Sequence, residues 1–166
     1  KYDNTEYRRL SSDMIDIAYS EIDSGTLKLI RRQISDSRRF AYEQMPRGWI
    51  KSRDNITYGE RFVPLDSAGL YVPGSKNPFP TVAQILAVPA KIAGVPSIVM
   101  CTPAPKPETI VAADLCGVDE IYICGGAQAI AAMAYGTETF SPVCKIAGPG
   151  NPYVTAAKLE VFGDVA

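Results

Sequence analysis

The chain has 166 residues, of which 46% are hydrophobic, and its formal net charge is −1. This length fits one domain, or one domain and part of another, and the apolar content is sufficient for a core, which argues against disorder. The near-neutral charge gives no general electrostatic case for binding nucleic acid or an anionic membrane, and no apolar run reaches the roughly 20 residues of a membrane span.

Residues 1–66 hold most of the charge, with 12 Lys and Arg and 11 Asp and Glu, and predict solvated helices. A first helix begins after the capping groups of Ser11–Asp13 and ends at the break Asp23–Gly25. A second helix runs from about residue 26 to 44, because Pro46-Arg47-Gly48 then stops it. Residues 49–67 lack a clear period and predict at most a short strand or two.

Two arginine pairs on the second helix, Arg31-Arg32 and Arg38-Arg39, leave two interpretations open. They form a face that contacts phosphate groups, or they belong to an ordinary solvated helix surface. The neighbouring acidic residues favour the solvated surface.

From residue 67 onward, short apolar runs alternate with helical patterns. The runs begin at Gly69, Ser97, Glu120 and Val143, between 23 and 28 residues apart. Helical patterns fill residues 80–93, 107–116, 127–135 and 153–161. This alternation is typical of a parallel sheet covered on both faces, so the predicted fold class is α/β, an open Rossmann-like sheet with helices on both faces. Pro89 predicts a kink or local break in its helix.

Three turns at the carboxyl ends of predicted strands are the candidate ligand-binding segments. They are the Pro-rich loop Pro73–Pro80, Gly125-Gly126 with nearby Gln128, and Gly148–Asn151. Ligands of open α/β sheets bind at this edge, glycine permits close backbone approach, and helix N-termini favour phosphate groups. The turns therefore predict a nucleotide or phosphate site.

An alternative for these turns stays open on the residues alone. The glycines serve equally as tight turns and helix caps, and Asn151 as the N-cap of the last helix. The dinucleotide fingerprint G-x-G-x-x-G is incomplete, because Gly148-Pro149-Gly150 lacks a correctly placed third glycine.

The cysteine and histidine content bounds the chemistry. Cys101, Cys124 and Cys144 lie in apolar, strand-like runs and are predicted to be buried thiols, with neither disulfide nor catalytic roles. A reducing, cytoplasmic setting follows. The chain contains no histidine, so it has no mixed Cys/His zinc pattern.

Several motifs of the second part resemble one known family, histidinol dehydrogenase. Their order and spacing match the family almost without gaps from about residue 67 to the end, whereas the first third resembles it more weakly, through residues around Phe40, Gln44 and Trp49. The strings that carry the resemblance are GLYVPG (69–74), PAKIAGV (89–95), GVDEIY (117–122), GGAQAIAA (125–132), YGTE (135–138) and GPGN (148–151).

The resemblance implies an NAD-dependent and zinc-dependent oxidoreductase that converts L-histidinol through the aldehyde to L-histidine, the end of histidine biosynthesis. It also implies an aldehyde-dehydrogenase-like variant of the fold, a small amino-alcohol substrate and a homodimer. Matched by motif, Tyr71, Gln128 and Asn151 fall on NAD-contacting positions. Tyr71 is then expected to pack its ring on the cofactor, while Gln128 and Asn151 hydrogen-bond to polar cofactor atoms.

The catalytic part of the family pattern has no counterpart here. The resemblance implies a Glu-His pair and a zinc site with histidine, aspartate and glutamine ligands, in motifs beyond Ala166. We therefore expect a fragment without turnover. Residues 1–67 are predicted to be the mainly helical part of an incomplete, discontinuous domain, and residues 68–166 the Rossmann-like NAD-binding domain. A start at Lys1 rather than Met fits that expectation, and the polar N-terminus does not resemble a signal peptide.

Three other hypotheses are carried forward. The first is a stand-alone, non-catalytic nucleotide-binding module, which the absence of histidine favours. The second is a related dehydrogenase of another amino or hydroxy alcohol, which the altered sequence of the first loop favours. The third is an enzyme with a phosphate-containing substrate on the same framework. No cluster of nucleophiles or bases at the turns supports it.

Overall fold

Helices cover both faces of a five-stranded sheet in the computed structural model, which describes residues 8–74 and 77–166. The strands are β1 (Arg8–Arg9), β2 (Trp49–Arg53), β3 (Ile56–Glu60), β4 (Ser67–Tyr71), β5 (Ser97–Thr102), β6 (Glu120–Ile123) and β7 (Lys145–Ala147). The helices are α1 (Ser12–Glu21), α2 (Ser24–Glu43), α3 (Pro80–Ile92), α4 (Pro107–Cys116), α5 (Gly126–Tyr135) and α6 (Pro152–Glu160). No helix in the described ranges has the length and apolar content needed to cross a membrane.

The main sheet has the strand order β1-β6-β5-β4-β7. Strands β6, β5, β4 and β7 are mutually parallel, with Tyr71 opposite Cys101 and Gly69 opposite Ile146. Counted along the chain, these four strands lie in the order third, second, first, fourth, which begins the Rossmann arrangement. The predicted Rossmann-like α/β class is thereby confirmed. One edge differs from a purely parallel sheet, because the two-residue strand β1 pairs antiparallel with β6.

Each face of the sheet has its own apolar core, because successive strand residues point to opposite sides. On β4, Leu70 belongs to the core that includes the buried side chains of α2, α3 and α4, while Tyr71 belongs to the core that includes those of α5 and α6. The chain therefore crosses to the second face after β6, where α5 connects β6 to β7.

Both N-terminal helices have side-chain N-caps: Ser11 caps α1, as the sequence pattern predicts, and Asp23 caps α2, which begins at Ser24, two residues before the predicted start. The Ser11 hydroxyl accepts a hydrogen bond from the Met14 amide at 3.4 Å, and the Asp23 carboxylate accepts one from the Thr26 amide at 3.0 Å. Helix α1 packs on α4, and α2 packs on α3 and α4. The N-terminal segment is thus tied to the first face of the sheet.

Strands β2 and β3 form an exposed antiparallel hairpin, so the first 66 residues are not helical throughout. Asp54 and Asn55 at its tip have left-handed backbone angles, φ 50° and 64°, as expected for a two-residue turn of type I′. These two strands confirm the prediction of a strand or two in residues 49–67. Strand β4 begins at the end of that range, at Ser67.

Two local predictions need correction. Helix α3 continues through Pro89 to Ile92, so the predicted local break is wrong, while the predicted kink stays a prediction. Pro89 leaves the Ile85 carbonyl without an amide partner, and Ile85 is on the exposed side of the helix. Cys144 is exposed rather than buried. It directly precedes β7 at the open edge of the sheet. Its amide donates a hydrogen bond to the Ser67 hydroxyl at 3.0 Å. Cys101 and Cys124 are buried, free thiols as predicted.

Candidate nucleotide-binding edge

The four parallel strands end at a common edge, and the glycine turns lie along it. Gly125-Gly126 follows β6, and Gly148–Asn151 follows β7. In an open sheet of this strand order, the crevice that accepts a ligand lies where the order reverses, which here is between β4 and β7. Tyr71 ends β4 and Gly148 follows β7, so both stand at that switch point.

Tyr71 connects the two glycine turns. Its side chain is only 4% exposed, and its hydroxyl accepts a hydrogen bond from the Gly126 amide at 3.2 Å. On the other side, Gly148 lies against the Tyr71 backbone so closely that a Cβ on Gly148 would be 2.9 Å from the Tyr71 carbonyl carbon and would overlap its oxygen. Tyr71 therefore fixes the start of α5 and the turn after β7 at once.

The first turn of α5 has no side-chain cap. Gly125 occupies the N-cap position and has no side chain to cap the helix. The Gly126 amide donates its hydrogen bond to the Tyr71 hydroxyl. The next amides, of Ala127 and Gln128, belong to the group that a helix leaves without internal partners. Gln128 is exposed, and its side chain folds back over the turn, because a Cβ on Gly126 would lie 2.7 Å from its Oε1. This end of α5 offers free donors and a polar side chain to a ligand.

Asn151 is the N-cap of α6. Its Oδ1 accepts a hydrogen bond from the Val154 amide at 3.0 Å, which confirms the capping interpretation. The side-chain NH₂ group is not used in that bond, and Asn151 is exposed. A cofactor contact by this amide remains a prediction, and capping is compatible with it.

The loop Pro73–Pro80 adjoins the same edge, although Ser75 and Lys76 lie outside the described residues. Gly74 packs against the strand-end segment that follows β5, where an added Cβ would meet Thr102 and Ala104 at 2.8–2.9 Å. The Thr102 hydroxyl is fully buried and has no hydrogen-bond partner among residues 8–74 and 77–166. Thr102 is not among the site residues predicted from the sequence, where it only begins a Pro-rich turn of open function.

Lys158 is a second residue that sequence reasoning missed. It lies in the last turn of α6, and its ammonium donates a hydrogen bond to the Gly148 carbonyl at 2.6 Å. Helical side chains lean toward the helix N-terminus, so a residue two turns along α6 reaches back to the turn that precedes the helix. Burial lowers the pKa of Lys158.

Three arginines of the two pairs on α2 contact protein groups away from this edge. Arg38 donates to the Leu115 carbonyl near the end of α4 at 3.1 Å, and Arg32 and Arg39 both pair with Asp36. These contacts support the interpretation of a helix surface rather than a phosphate site.

A sizeable concave surface lies elsewhere. An open groove of about 750 Å³ follows the exposed hairpin and is lined mainly by apolar side chains, among them Trp49, Ile50 and Phe62. A ligand site needs a few convergent polar groups as well as volume. We therefore interpret the groove as a packing surface and the strand-end edge as the candidate site.

The residues that the structure describes do not form a zinc site. The sequence has no histidine, and the described ranges contain no group of three His, Cys, Asp or Glu side chains that could hold a metal ion. Thiolate, imidazole and carboxylate donors in sets of three or four are what zinc requires.

Strand order and helices on both faces define the class: an open α/β protein with a mostly parallel, Rossmann-like sheet. The family model for histidinol dehydrogenase matches residues 1–166. The chain belongs to the histidinol dehydrogenase family, whose members are oxidoreductases.

Individual relatives agree with that assignment. The chain is 45% identical over 163 residues to the histidinol dehydrogenase of Methanothermobacter thermautotrophicus, covering 95% of this chain and 38% of the relative. It is 47% identical over 154 residues to that of Bacillus subtilis, covering 89% and 36%. The crystal structure of histidinol dehydrogenase from Elizabethkingia anophelis superposes with a TM-score of 0.92 at 34% identity, covering 98% of this chain and 39% of that one. The chain thus spans a little over a third of the length of these relatives.

Proposed function

We propose that this chain is the NAD-binding portion of a zinc-dependent L-histidinol dehydrogenase, with Tyr71, Gln128 and Asn151 as its cofactor-binding residues. The observation that carries the proposal is the link through Tyr71, which ties the uncapped start of α5 to the Gly148 turn at the switch point. Family membership supports the reaction class, the oxidation of L-histidinol through the aldehyde to L-histidine. The division between a helical part, residues 1–67, and the cofactor domain, residues 68–166, belongs to the proposal, as do the cytoplasmic setting and the homodimer.

The spacing of the turns favours a dinucleotide over a single phosphate. Strands β6 and β7 are separated by β5 and β4, so the turns after them are three strand spacings apart, or about 14 Å. A phosphate group alone cannot touch both turns. An extended dinucleotide can, with its diphosphate near one helix N-terminus and a nucleoside near the other.

Each group of the chain then has a defined task. When bound, NAD supplies the hydride acceptor for the oxidation of the alcohol. The amides of Ala127 and Gln128 and the Gln128 side chain hydrogen-bond to polar atoms of the nucleoside, while the diphosphate lies near the Gly148–Asn151 turn at the N-terminus of α6. Gly148 keeps its turn close enough to the Tyr71 backbone for the ligand to lie across the strand ends. The chain has no histidine to act as a base, and its described residues offer no ligand set for zinc.

The exposed apolar side chains favour this proposal over a stand-alone module. Ile50, Ile56 and Val63, on or next to the hairpin, are each 65–78% exposed, and Phe62 and Leu65 extend the patch. Patches of this kind mark surfaces that pack against further protein. A self-contained binding module has no reason to retain one.

Two measurements test the proposal. Calorimetric titration of the intact protein with NAD is expected to show binding, weakened by Gln128→Ala or Asn151→Ala by about 1–3 kcal/mol for lost polar contacts. Arg38→Ala, on the other side of the sheet, is the control and is expected to bind as well as the parent. An unchanged affinity for NAD in both site variants would contradict the assignment of Gln128 and Asn151 as cofactor-binding residues.

The second measurement is the intact mass of the protein as its host produces it. A mass well above 17.9 kDa supports the dehydrogenase portion, with the Glu-His and zinc segment in the additional sequence. A mass near 17.9 kDa would instead favour the non-catalytic module.

A further inference from the structure

Lys158 holds a position that the cofactor-binding role of Tyr71, Gln128 and Asn151 does not explain. Its ammonium is partly buried beside the Gly148 turn. One of its three N–H groups donates a hydrogen bond to the Gly148 carbonyl at 2.6 Å. Within residues 8–74 and 77–166, no carboxylate lies within 4.0 Å of it, whereas Lys91 has Asp119 at 3.2 Å. Lys158 is thus a cation that has lost part of its hydration without gaining a carboxylate partner.

Such an arrangement is unfavourable for the ligand-free protein. Removing an ammonium from water costs free energy unless an opposite charge compensates for it. Burial lowers the pKa of Lys158, which is the direction expected of an uncompensated cation. An anion bound at the adjacent turn would supply the missing charge.

The turn itself is where an anion is expected. Gly148 stands at the switch point between β4 and β7, and the turn continues directly into the N-terminus of α6. The ammonium and the helix N-terminus therefore add positive potential from two sides of the same four residues.

We infer that Lys158 is a positioning residue for a diphosphate-bearing ligand: it fixes the Gly148–Asn151 turn through the Gly148 carbonyl and supplies the charge that favours an anion there. This inference rests on the proposed NAD-binding function. It adds a residue, and a reason for selecting phosphate-containing ligands, that the three contact residues do not provide.

The test is NAD titration of the intact protein with Lys158→Met, Lys158→Arg and the control Lys145→Met. Lys145 is an exposed lysine on β7, so its replacement changes the net charge equally without touching the turn. Lys158→Met is expected to raise the Kd for NAD about tenfold or more, as for a lost charge-assisted hydrogen bond. Lys158→Arg, which keeps the charge and a donor, is expected to restore most of the affinity, and Lys145→Met to bind as the parent does.

Two further readouts separate positioning from packing. The Kd of the parent is expected to rise with ionic strength more steeply than that of Lys158→Met, because screening acts on a charge that the variant lacks. Amide hydrogen exchange of residues 148–154 without ligand is expected to be faster in Lys158→Met than in Lys158→Arg. If Lys158→Met does not fold, Lys158→Gln, which keeps an N–H donor but no charge, replaces it under the same criteria.

The outcomes distinguish this inference from the function on which it rests. If the parent protein does not bind NAD, the proposed function fails and the inference fails with it. If the parent binds NAD and Lys158→Met binds equally well, or if Lys158→Arg is as weak as Lys158→Met, the inference alone is overturned.

Discussion

Replacing Gly148 by alanine tests the close approach at the switch point most directly. Gly148 has φ +134°, a region that residues with a Cβ rarely adopt. An added Cβ would also overlap the Tyr71 carbonyl oxygen and lie 2.9 Å and 3.1 Å from the Tyr71 carbonyl carbon and nitrogen. These atoms are backbone of a central strand, so they cannot move aside as the end of a flexible side chain would.

The magnitude has two parts. Forcing a non-glycine residue into such a backbone conformation costs about 1–3 kcal/mol, and overpacking against a fixed neighbour adds about 1–3 kcal/mol. Gly148→Ala is therefore expected to lower the free energy of unfolding by about 2–6 kcal/mol. For a domain of this size that corresponds to a fall in Tm of about 5–20 °C. Relief of the overlap requires β7 and its turn to move away from β4, so NAD affinity is expected to fall as well.

Gly163 provides a matched control. It also has a positive φ, +108°, but a Cβ there meets nothing within 4 Å. Gly163→Ala thus carries the conformational cost without the overlap. Urea denaturation and thermal melting of both variants measure the difference, which is expected to be at least about 1 kcal/mol in favour of Gly163→Ala. Equal stability of the two variants, or unaltered NAD binding by Gly148→Ala, would refute the packing argument.

Three further predictions concern single side chains. Asn151→Ala is expected to cost about 1 kcal/mol of stability through loss of the cap, and Asn151→Ser, which keeps a cap oxygen, to recover most of it in urea denaturation; a Ser variant as unstable as Ala would contradict the capping role. Gln128→Ala is expected to leave Tm within about 2 °C of the parent, because the side chain is exposed, so that any loss of NAD affinity reports on binding alone. Burial and a hydrogen bond to Glu120 raise the pKa of Tyr122 to about 12 from the usual 10.0, so the stability that its neutral form contributes is complete below pH 10 and is lost as the pH rises toward 12. The free energy of unfolding, measured by urea denaturation at a series of pH values between about pH 9 and about pH 12, is expected to fall less steeply with pH for Tyr122→Phe than for the parent. An identical pH dependence in the two proteins would refute the assignment.

The regular part of the fold could be predicted because its signals are local. Apolar runs and helical patterns gave the four parallel strands and four following helices to within about two residues of the structure. Strand β1 could not be predicted, since Arg8-Arg9 has no strand pattern and pairs only because β6 presents a free edge. The hairpin was predicted only as a strand or two in residues 49–67, because that stretch lacks a clear period. The left-handed turn at Asp54 and Asn55 was seen only in the structure.

The candidate site divides in the same way. Glycine turns after strands, and Asn151 before a helix, are visible as sequence patterns. The hydrogen bond from the Gly126 amide to the Tyr71 hydroxyl joins residues 55 positions apart and depends on which strands are neighbours. The reach of Lys158 to Gly148 likewise requires the path of the turn before α6. Sequence therefore identified the strand ends, while the links between them required the three-dimensional structure.

The contrast between the site and the grooves has a physical reason. A site that binds phosphate through backbone amides needs no deep pocket, because its donors lie at the surface, at the ends of helices and strands. It needs close backbone approach instead, which Gly148 provides beside Tyr71. The groove along the hairpin has volume, but its lining is mainly apolar. The roles we propose for the two surfaces differ accordingly: an anionic ligand at the strand-end edge, and contact with further protein at the groove.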